Sequence, residues 1–270
     1  MLDLPTGFQN LDILIGGLQS SDVLILLTPP LSGEMSLALS IALNAATTYQ
    51  RRIGLFSPEM NKYQVVQRLL AMSADVDLYH LRTGWITDDE HRRISQAARM
   101  LSRTSIWIDD RVDLTLVHLW QRARQLAREQ GVTLLLIDGL HLLQPHGEDK
   151  GDGHYAQEMS RSLKALAREL LLPIVVLLPM PHLRAHHRSK DYQHFDQWDR
   201  SFAKDARQVL FLYRDRFSPP LPANKSMVMI TVTIVKHRHG LVTEVALSRQ
   251  AEPILSRDVE QLPSRKDALS

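Results

Sequence analysis

The amino-acid sequence predicts an α/β fold, a mostly parallel sheet flanked by helices with an antiparallel hairpin appended near the carboxyl end. Three observations carry this. Short apolar runs recur at residues 23–27, 53–56, 106–108, 134–137, 174–178 and 209–212, and continuous apolar strands are the kind buried on both faces of a parallel sheet. Segments with helical spacing separate most of these runs, which gives the βαβ alternation of right-handed crossovers. Beyond residue 205 the pattern becomes strict alternation, with Met227, Met229, Thr231 and Thr233 set against Val228, Ile230, Val232 and Ile234, as in an antiparallel ribbon.

Each element has a local reason. The first strand, Val23-Leu24-Ile25-Leu26-Leu27, follows a Gly16-Gly17 turn. Residues 36–49 are rich in Ala and Leu, strong helix formers. Asn61 is a good N-cap for a helix ending near Met72. Thr87-Asp88-Asp89-Glu90 reads as a capping box that opens a helix to about Ser102. Residues 116–129 and 157–170 repeat the apolar spacing of a helix packed on one face. The hairpin covers 226–235, turns at Gly240 and returns to Leu247. Residues 1–250 are thus expected to form one domain, and residues 251–270, polar with two prolines, a loose tail.

Composition narrows the classes. A chain of 270 residues has room for one large α/β domain, and 32 basic against 30 acidic residues give a net charge of +2. With 44% hydrophobic residues, this is neither a disordered chain nor a rod. The absence of cysteine excludes disulfides, thiolate metal sites, iron–sulfur centres and a cysteine nucleophile. The most apolar stretch, residues 170–181, is broken by Pro173, Pro179 and Pro181 and is too short to span a bilayer. Met1-Leu2-Asp3-Leu4-Pro5 has no charged n-region or apolar core, so a cytoplasmic protein without a signal peptide or membrane contact is expected. At near-neutral charge, any nucleic-acid contact must come from local patches.

In a doubly wound sheet, ligands bind beyond the carboxyl ends of the strands. The first such end is Thr28-Pro29-Pro30-Leu31-Ser32-Gly33-Glu34-Met35, where a phosphate-binding loop of the form G-x-x-x-x-G-K-[ST] would stand. Only Gly33 fits that pattern. Thr28 stands at the first glycine, Glu34 at the lysine and Met35 at the Ser/Thr.

Other segments give this loop a context. Leu4-Pro5-Thr6-Gly7-Phe8, Leu11-Asp12 and Gly16-Gly17-Leu18 resemble the opening of the ATPase domain of DnaB-type replicative helicases. Phe56-Ser57-Pro58-Glu59-Met60 is similar to that family's F-S-L-E-M. Gln67-Arg68-Leu69-Leu70-Ala71, Leu81-Arg82-Thr83-Gly84, Ile108-Asp109-Asp110, Ser160-Arg161-Ser162-Leu163-Lys164-Ala165-Leu166-Ala167 and Leu210-Phe211-Leu212-Tyr213-Arg214-Asp215 follow in family order. The resemblance runs from residue 4 to about 247 and implies a RecA-like fold, with ATP and Mg²⁺ as the family's cofactors.

The resemblance also implies roles. Leu134-Leu135-Leu136-Ile137-Asp138 resembles a Walker B strand, whose carboxylate would hold a Mg²⁺-bound water if nucleotide binds; a strand-ending Asp that caps a turn is the other reading. Glu59 falls on the glutamate that polarises the attacking water, and it is equally a first-turn acid favoured by the helix dipole. Lys236-His237-Arg238-His239-Gly240 falls on a K-x-R hairpin. The arginine of that hairpin, here Arg238, would serve a neighbouring subunit as an arginine finger; a solvated basic turn is the alternative.

Ser32, Gly33, Glu34 and Met35 then form a degenerate nucleotide-binding loop. A unit charge ~4 Å from a phosphate charge is worth roughly 4 kcal/mol at an effective dielectric near 20, and exchanging Lys for Glu reverses its sign. Met35 offers a thioether where a hard cation takes oxygen. Pro179 replaces the glutamine that ends the family's central strand, and His141 stands at a second glutamine position. All four changes fall on the same nucleotide. At the helix N-terminus, the Glu34 carboxylate could itself fill the place left for phosphate.

Two loops bear on single-stranded DNA. Gln144-Pro145-His146-Gly147-Glu148-Asp149-Lys150-Gly151-Asp152-Gly153 is acidic and unsuited to a phosphate backbone. His182-Leu183-Arg184-Ala185-His186-His187-Arg188-Ser189-Lys190 is basic, and Arg184, Arg188 and Lys190 are its candidate phosphate contacts. Its adjacent histidines lack the spacing of a metal site, and a solvated loop without a partner is the competing reading. Relative to the family, the chain reads as lacking the primase-facing domain and the linker helix, so weaker ring self-assembly is expected. Three readings follow: a non-catalytic protein that associates with replicative helicase subunits or DNA, an active ATP-dependent helicase with an atypical loop, and an unconstrained remnant.

Overall fold

The computed structural model describes residues 4–28, 34–143, 152–180, 204–214, 227–237, 243–250 and 256–258. Nine strands form one sheet in the order β3-β2-β4-β5-β1-β6-β7-β8-β9. They are β1 (Val23–Thr28), β2 (Arg52–Phe56), β3 (Ser105–Asp109), β4 (Leu134–Ile137), β5 (Ile174–Pro179), β6 (Gln208–Arg214), β7 (Met227–His237), β8 (Thr243–Gln250) and β9 (Ser256–Asp258). β1 to β6 pair in parallel, and β7, β8 and β9 continue antiparallel. The predicted hairpin is therefore present as β7 and β8. Within the stretch expected to be a loose tail, β9 pairs with β8.

The helices are α1 (Gln9–Ile15), α2 (Glu34–Thr47), α3 (Lys62–Ala74), α4 (Leu78–Thr83), α5 (Asp88–Leu101), α6 (Leu116–Gln130) and α7 (Asp152–Leu170). The short helices α1 and α4 carry too little periodicity to be read from sequence, and α7 begins five residues before the predicted start at 157. No helix among the described residues is long and apolar enough to cross a membrane.

The apolar runs divide the core in two, because successive strand residues point to opposite faces. Leu24 and Leu26 of β1, Leu134 and Leu136 of β4, and Val175 and Leu177 of β5 join one cluster with Leu37, Ile41, Val65 and Leu69 of α2 and α3. Their neighbours Ile25, Leu135, Ile137, Val176 and Leu178 join the other, with Leu119, Leu126, Leu163 and Leu166 of α6 and α7. Every residue of β1 and β4 is buried, as continuous apolar strands require.

Local caps fix the helix starts. The Asn61 side chain accepts from Gln64 N–H at 3.0 Å while Gln64 Oε1 accepts from Asn61 N–H at 3.1 Å. A second capping box joins Thr87 and Glu90. Glu90 accepts from both Thr87 N–H (2.8 Å) and Thr87 Oγ1 (2.9 Å), and its other oxygen lies 2.9 Å from His80 Nδ1 on α4. The Thr87 backbone bond, followed by His80, holds the Glu90 carboxyl down at about 2 against an ordinary 4.5.

A carboxyl whose pKa is depressed on folding stabilises the fold above its unfolded pKa and loses that contribution as pH falls. Glu90→Gln is therefore expected to lower the urea midpoint at pH 7. The gap to the parent protein should shrink as pH falls from about 5 toward 2, and paired unfolding curves across that range check it.

Candidate functional site

The carboxyl ends of the parallel strands gather the chemistry-bearing residues. Asp138 directly follows β4 and is 5% exposed. Its N–H donates to Phe56 O at 2.9 Å, which extends the β2–β4 pairing by one step. Gly139 then turns the chain with φ +67° into a short 3₁₀ turn, Leu140–Leu142. A side chain there would meet Pro58 Cγ at 3.0 Å and Glu59 N at 3.5 Å. The Asp138–Gly139 backbone thus packs directly on the Pro58–Glu59 turn, so two sequence candidates, Glu59 and Asp138, meet at one edge. The Asp138 side chain is buried and that of Glu59 is exposed.

The turn carrying Glu59 is held from β3. Ser57 N–H donates to Asp109 O at 2.9 Å, and Lys62 N–H, in the first turn of α3, donates to Asp110 Oδ2 at 2.9 Å. Asp109 is itself clamped by Arg111, with Nε to Oδ1 at 2.9 Å and Nη2 to Oδ2 at 2.8 Å, and Arg122 Nε lies 3.5 Å from Oδ2. Burial pushes the Asp109 carboxyl up, but the hydrogen bonds and charge of Arg111 and the charge of Arg122 outweigh it. The net position is below the usual carboxylate range.

On the other side of the crevice, β1 and β5 stay paired to their ends. Thr28 stands opposite Pro179, and Met180 N–H donates to Thr28 O at 2.7 Å. Met180 is fully buried. The hydroxyls of Thr28 and Ser57 are buried and find no hydrogen-bond partner among the described residues. Sequence reasoning assigned them no such place; the signal was their position one step past an apolar run. Orphaned buried hydroxyls are uncommon in folded proteins, and both stand at this edge.

Among the other candidates, Glu34 opens α2, and Met35 is half-buried, packed on the cluster beneath α2. His141 is exposed. Ser32, Gly33, Arg184, Arg188, Lys190 and Arg238 lie outside the described residues. Lys236 is placed by the register of β7, opposite Val209 of β6. Val209 in turn stands beside Ile25 of β1, so Lys236 lies toward the amino-terminal ends of the parallel strands, whereas Asp138 and Thr28 lie at their carboxyl ends. The structure does not bring Lys236 to the Glu59–Asp138 edge of its own chain. Among the described residues, no group of three or more His, Cys, Asp or Glu side chains could hold a metal.

The DnaB-like helicase C terminal domain family matches residues 3–254. The chain is 35% identical over 247 residues to the replicative DNA helicase DnaB of Geobacillus stearothermophilus, covering 91% of this chain and 54% of that protein. It is 34% identical over 247 residues to the replicative DNA helicase DnaC of Bacillus subtilis (strain 168), with the same coverage of 91% and 54%. The chain spans about half the length of these curated relatives. Among solved structures, an isolated ATPase domain aligns with a TM-score of 0.81 and 25% identity, over 95% of this chain and 91% of that one. A DnaB-like replicative helicase, described with its interactions with primase, gives the same TM-score and identity over 95% and 62%. The fold is the RecA-like fold of these neighbours.

Gly139 tests the contact that joins Glu59 to Asp138. Gly139→Ala meets both a left-handed φ and Pro58, whereas Gly84→Ala meets only a left-handed φ (+79°) with nothing within 4 Å. The backbone cost is about 1–2 kcal/mol at either site. Urea unfolding is expected to show a larger loss for Gly139→Ala than for Gly84→Ala.

Proposed function

We propose that this chain, which belongs to the DnaB-like helicase C-terminal domain family, keeps the scaffold of a replicative-helicase ATPase domain without turning over ATP. It acts by association with replicative helicase subunits or with DNA. The observation that carries this reading is the apolar end of β5. Pro179 stands beside Thr28, and Met180, fully buried, bonds to it through the backbone. No polar side chain from β5 reaches the edge at which the family resemblance places a γ-phosphate-sensing glutamine.

Against ATP and Mg²⁺, the remaining residues divide. Asp138, buried at the end of β4, suits a Mg²⁺-bound water. Met35 supplies a half-buried thioether in place of a hydroxyl. Glu34, first in α2, places an acid in the sequence position of the lysine. The set as a whole does not fit the nucleotide, and no catalytic step is assigned through it.

The position of Lys236 supports association. A K-x-R pair away from its own Glu59–Asp138 edge could act only on another subunit's site, so Lys236 and Arg238 are proposed to serve self-association or a mixed complex with a replicative helicase. Arg184, Arg188 and Lys190 are proposed as contacts to single-stranded DNA. A second reading, an active ATP-dependent helicase with an atypical loop, is favoured by the adjacency of Glu59 and Asp138.

Steady-state ATPase assays with and without single-stranded DNA separate the two readings, together with titration calorimetry against ATP·Mg²⁺. The expected result is no turnover above background and no micromolar binding, with nucleotide affinity appearing in Glu34→Lys/Met35→Thr. DNA-stimulated turnover by the unmodified chain would favour the active helicase. Pull-down with the host replicative helicase tests association directly.

A further inference from the structure

At the opposite end of the sheet, a groove of about 530 Å³ runs between the carboxyl ends of α2 and α5, lined in part by Thr47, Gln50, Gln96, Arg99, Met100 and Arg103. None of its lining residues is acidic. Gln96, Arg99 and Arg103 follow at i, i+3 and i+7 along α5 and just past it, so they share one stripe. All three are exposed. Neither arginine forms an ion pair with a carboxylate among the described residues, whereas Arg92 and Arg93, in the first half of the same helix, both pair with Asp89. Arg51, also exposed, stands one residue before β2 and continues the register in which Arg52 meets Ser105 of β3.

The simplest explanation of these arginines is the helix dipole. Two helix ends carry about −0.5 charge each. That offsets one guanidinium, and the groove keeps at least one positive charge with no carboxylate to meet it. The Thr47 hydroxyl donates to Leu43 O at 2.7 Å and that of Thr104 to Leu101 O at 2.7 Å, so both point their protons inward. The donors left for a ligand are guanidinia and side-chain amides, the groups that meet phosphate oxygens in nucleic-acid complexes. Met100, 39% exposed, adds apolar surface between the arginines. A protein partner would need a buried aromatic or aliphatic anchor pocket, and the groove offers only Met100 and Ala46.

We propose that this groove binds the phosphodiester backbone of single-stranded nucleic acid, at Arg99 and Arg103, as a contact separate from the loop carrying Arg184, Arg188 and Lys190. Phosphate contacts release counterions, so the logarithm of affinity falls linearly with the logarithm of salt, with a slope of about −0.7 per phosphate on a single strand. Two guanidinia on two phosphates therefore account for roughly 1.4 of that slope.

The test is fluorescence anisotropy of labelled (dT)30 and (rU)30 with the full chain across a salt series. Arg99→Ala/Arg103→Ala is expected to weaken binding of both oligonucleotides about tenfold or more and to flatten the slope by roughly 1.4. Arg82→Ala/Arg128→Ala, exposed arginines outside the groove, should change neither. In Arg184→Ala/Arg188→Ala/Lys190→Ala the groove's share of the slope should remain, which distinguishes failure of this proposal from failure of the loop contact. An unchanged slope in the groove variant overturns the proposal, as does absence of oligonucleotide binding by the unmodified chain at low salt. So does loss of poly-glutamate binding with (dT)30 binding intact, which would make the groove a protein site.

Discussion

Burial of the central strands on both faces is the constraint on which the rest of this structure depends. β1 and β4 have no exposed residue, and each lies between two parallel neighbours. A one-residue slip of either would exchange the side chains of the two clusters and mismatch both helix layers. The register is therefore rigid, and so are the positions of whatever follows the last buried residue. Thr28, Ser57 and Asp138 each stand one step beyond an apolar run. Their convergence at one edge is a consequence of strand packing, not of any interaction among themselves.

The same logic explains the opening segment. Asp12 accepts from Thr6 N–H and Thr6 Oγ1, both at 2.8 Å, and from Gly7 N–H at 3.2 Å. The Asn44 amide of α2 donates to Thr6 O at 3.1 Å. A side chain on Gly7 would stand 2.2 Å from that amide, and its φ is +87°, so only glycine fits both the backbone and the approach. The Thr6-Gly7 and Leu11-Asp12 pairs that marked the family resemblance thus act as a clasp between the first turn and α2, whose opposite end leads back to the altered loop.

What could be read from sequence follows from which forces are local. The strands were legible because two-sided burial writes itself as an unbroken apolar run, and α3 and α5 were legible because Asn61 and Thr87 close their capping boxes within three residues. The helix α1 was not, since seven residues are too few for a period and its hold comes from the Asp12 clasp. The strand β9 was hidden for a different reason: its partner β8 is supplied from elsewhere in the chain, and a three-residue edge strand needs no apolar pattern. At the site, Asp138 and Glu59 were legible by type and place. The packing of Gly139 on Pro58 was not, because a close approach of two turns leaves no periodic trace.

Why the scaffold persists beside an altered phosphate loop follows from where α2 gets its stability. The helix is held by Leu37, Leu39, Ile41, Ala42 and Ala45, all nearly or fully buried, and the clasp fixes it through Asn44. Glu34 and Met35 lie before this anchored stretch, at the end where substitution changes what the site can bind but not how the helix packs. The groove at Arg99 and Arg103 is separated from that end by the length of a strand, on the order of 17–20 Å for a typical one. Charge reversal at Glu34 acts across more than a Debye length there, about 8 Å at physiological salt. A chain built this way can change the chemistry of one sheet edge while a cationic surface at the other stays electrostatically independent. The near-zero net charge of +2 is then a sum of opposed, spatially separate local charges, each of which must be read where it stands.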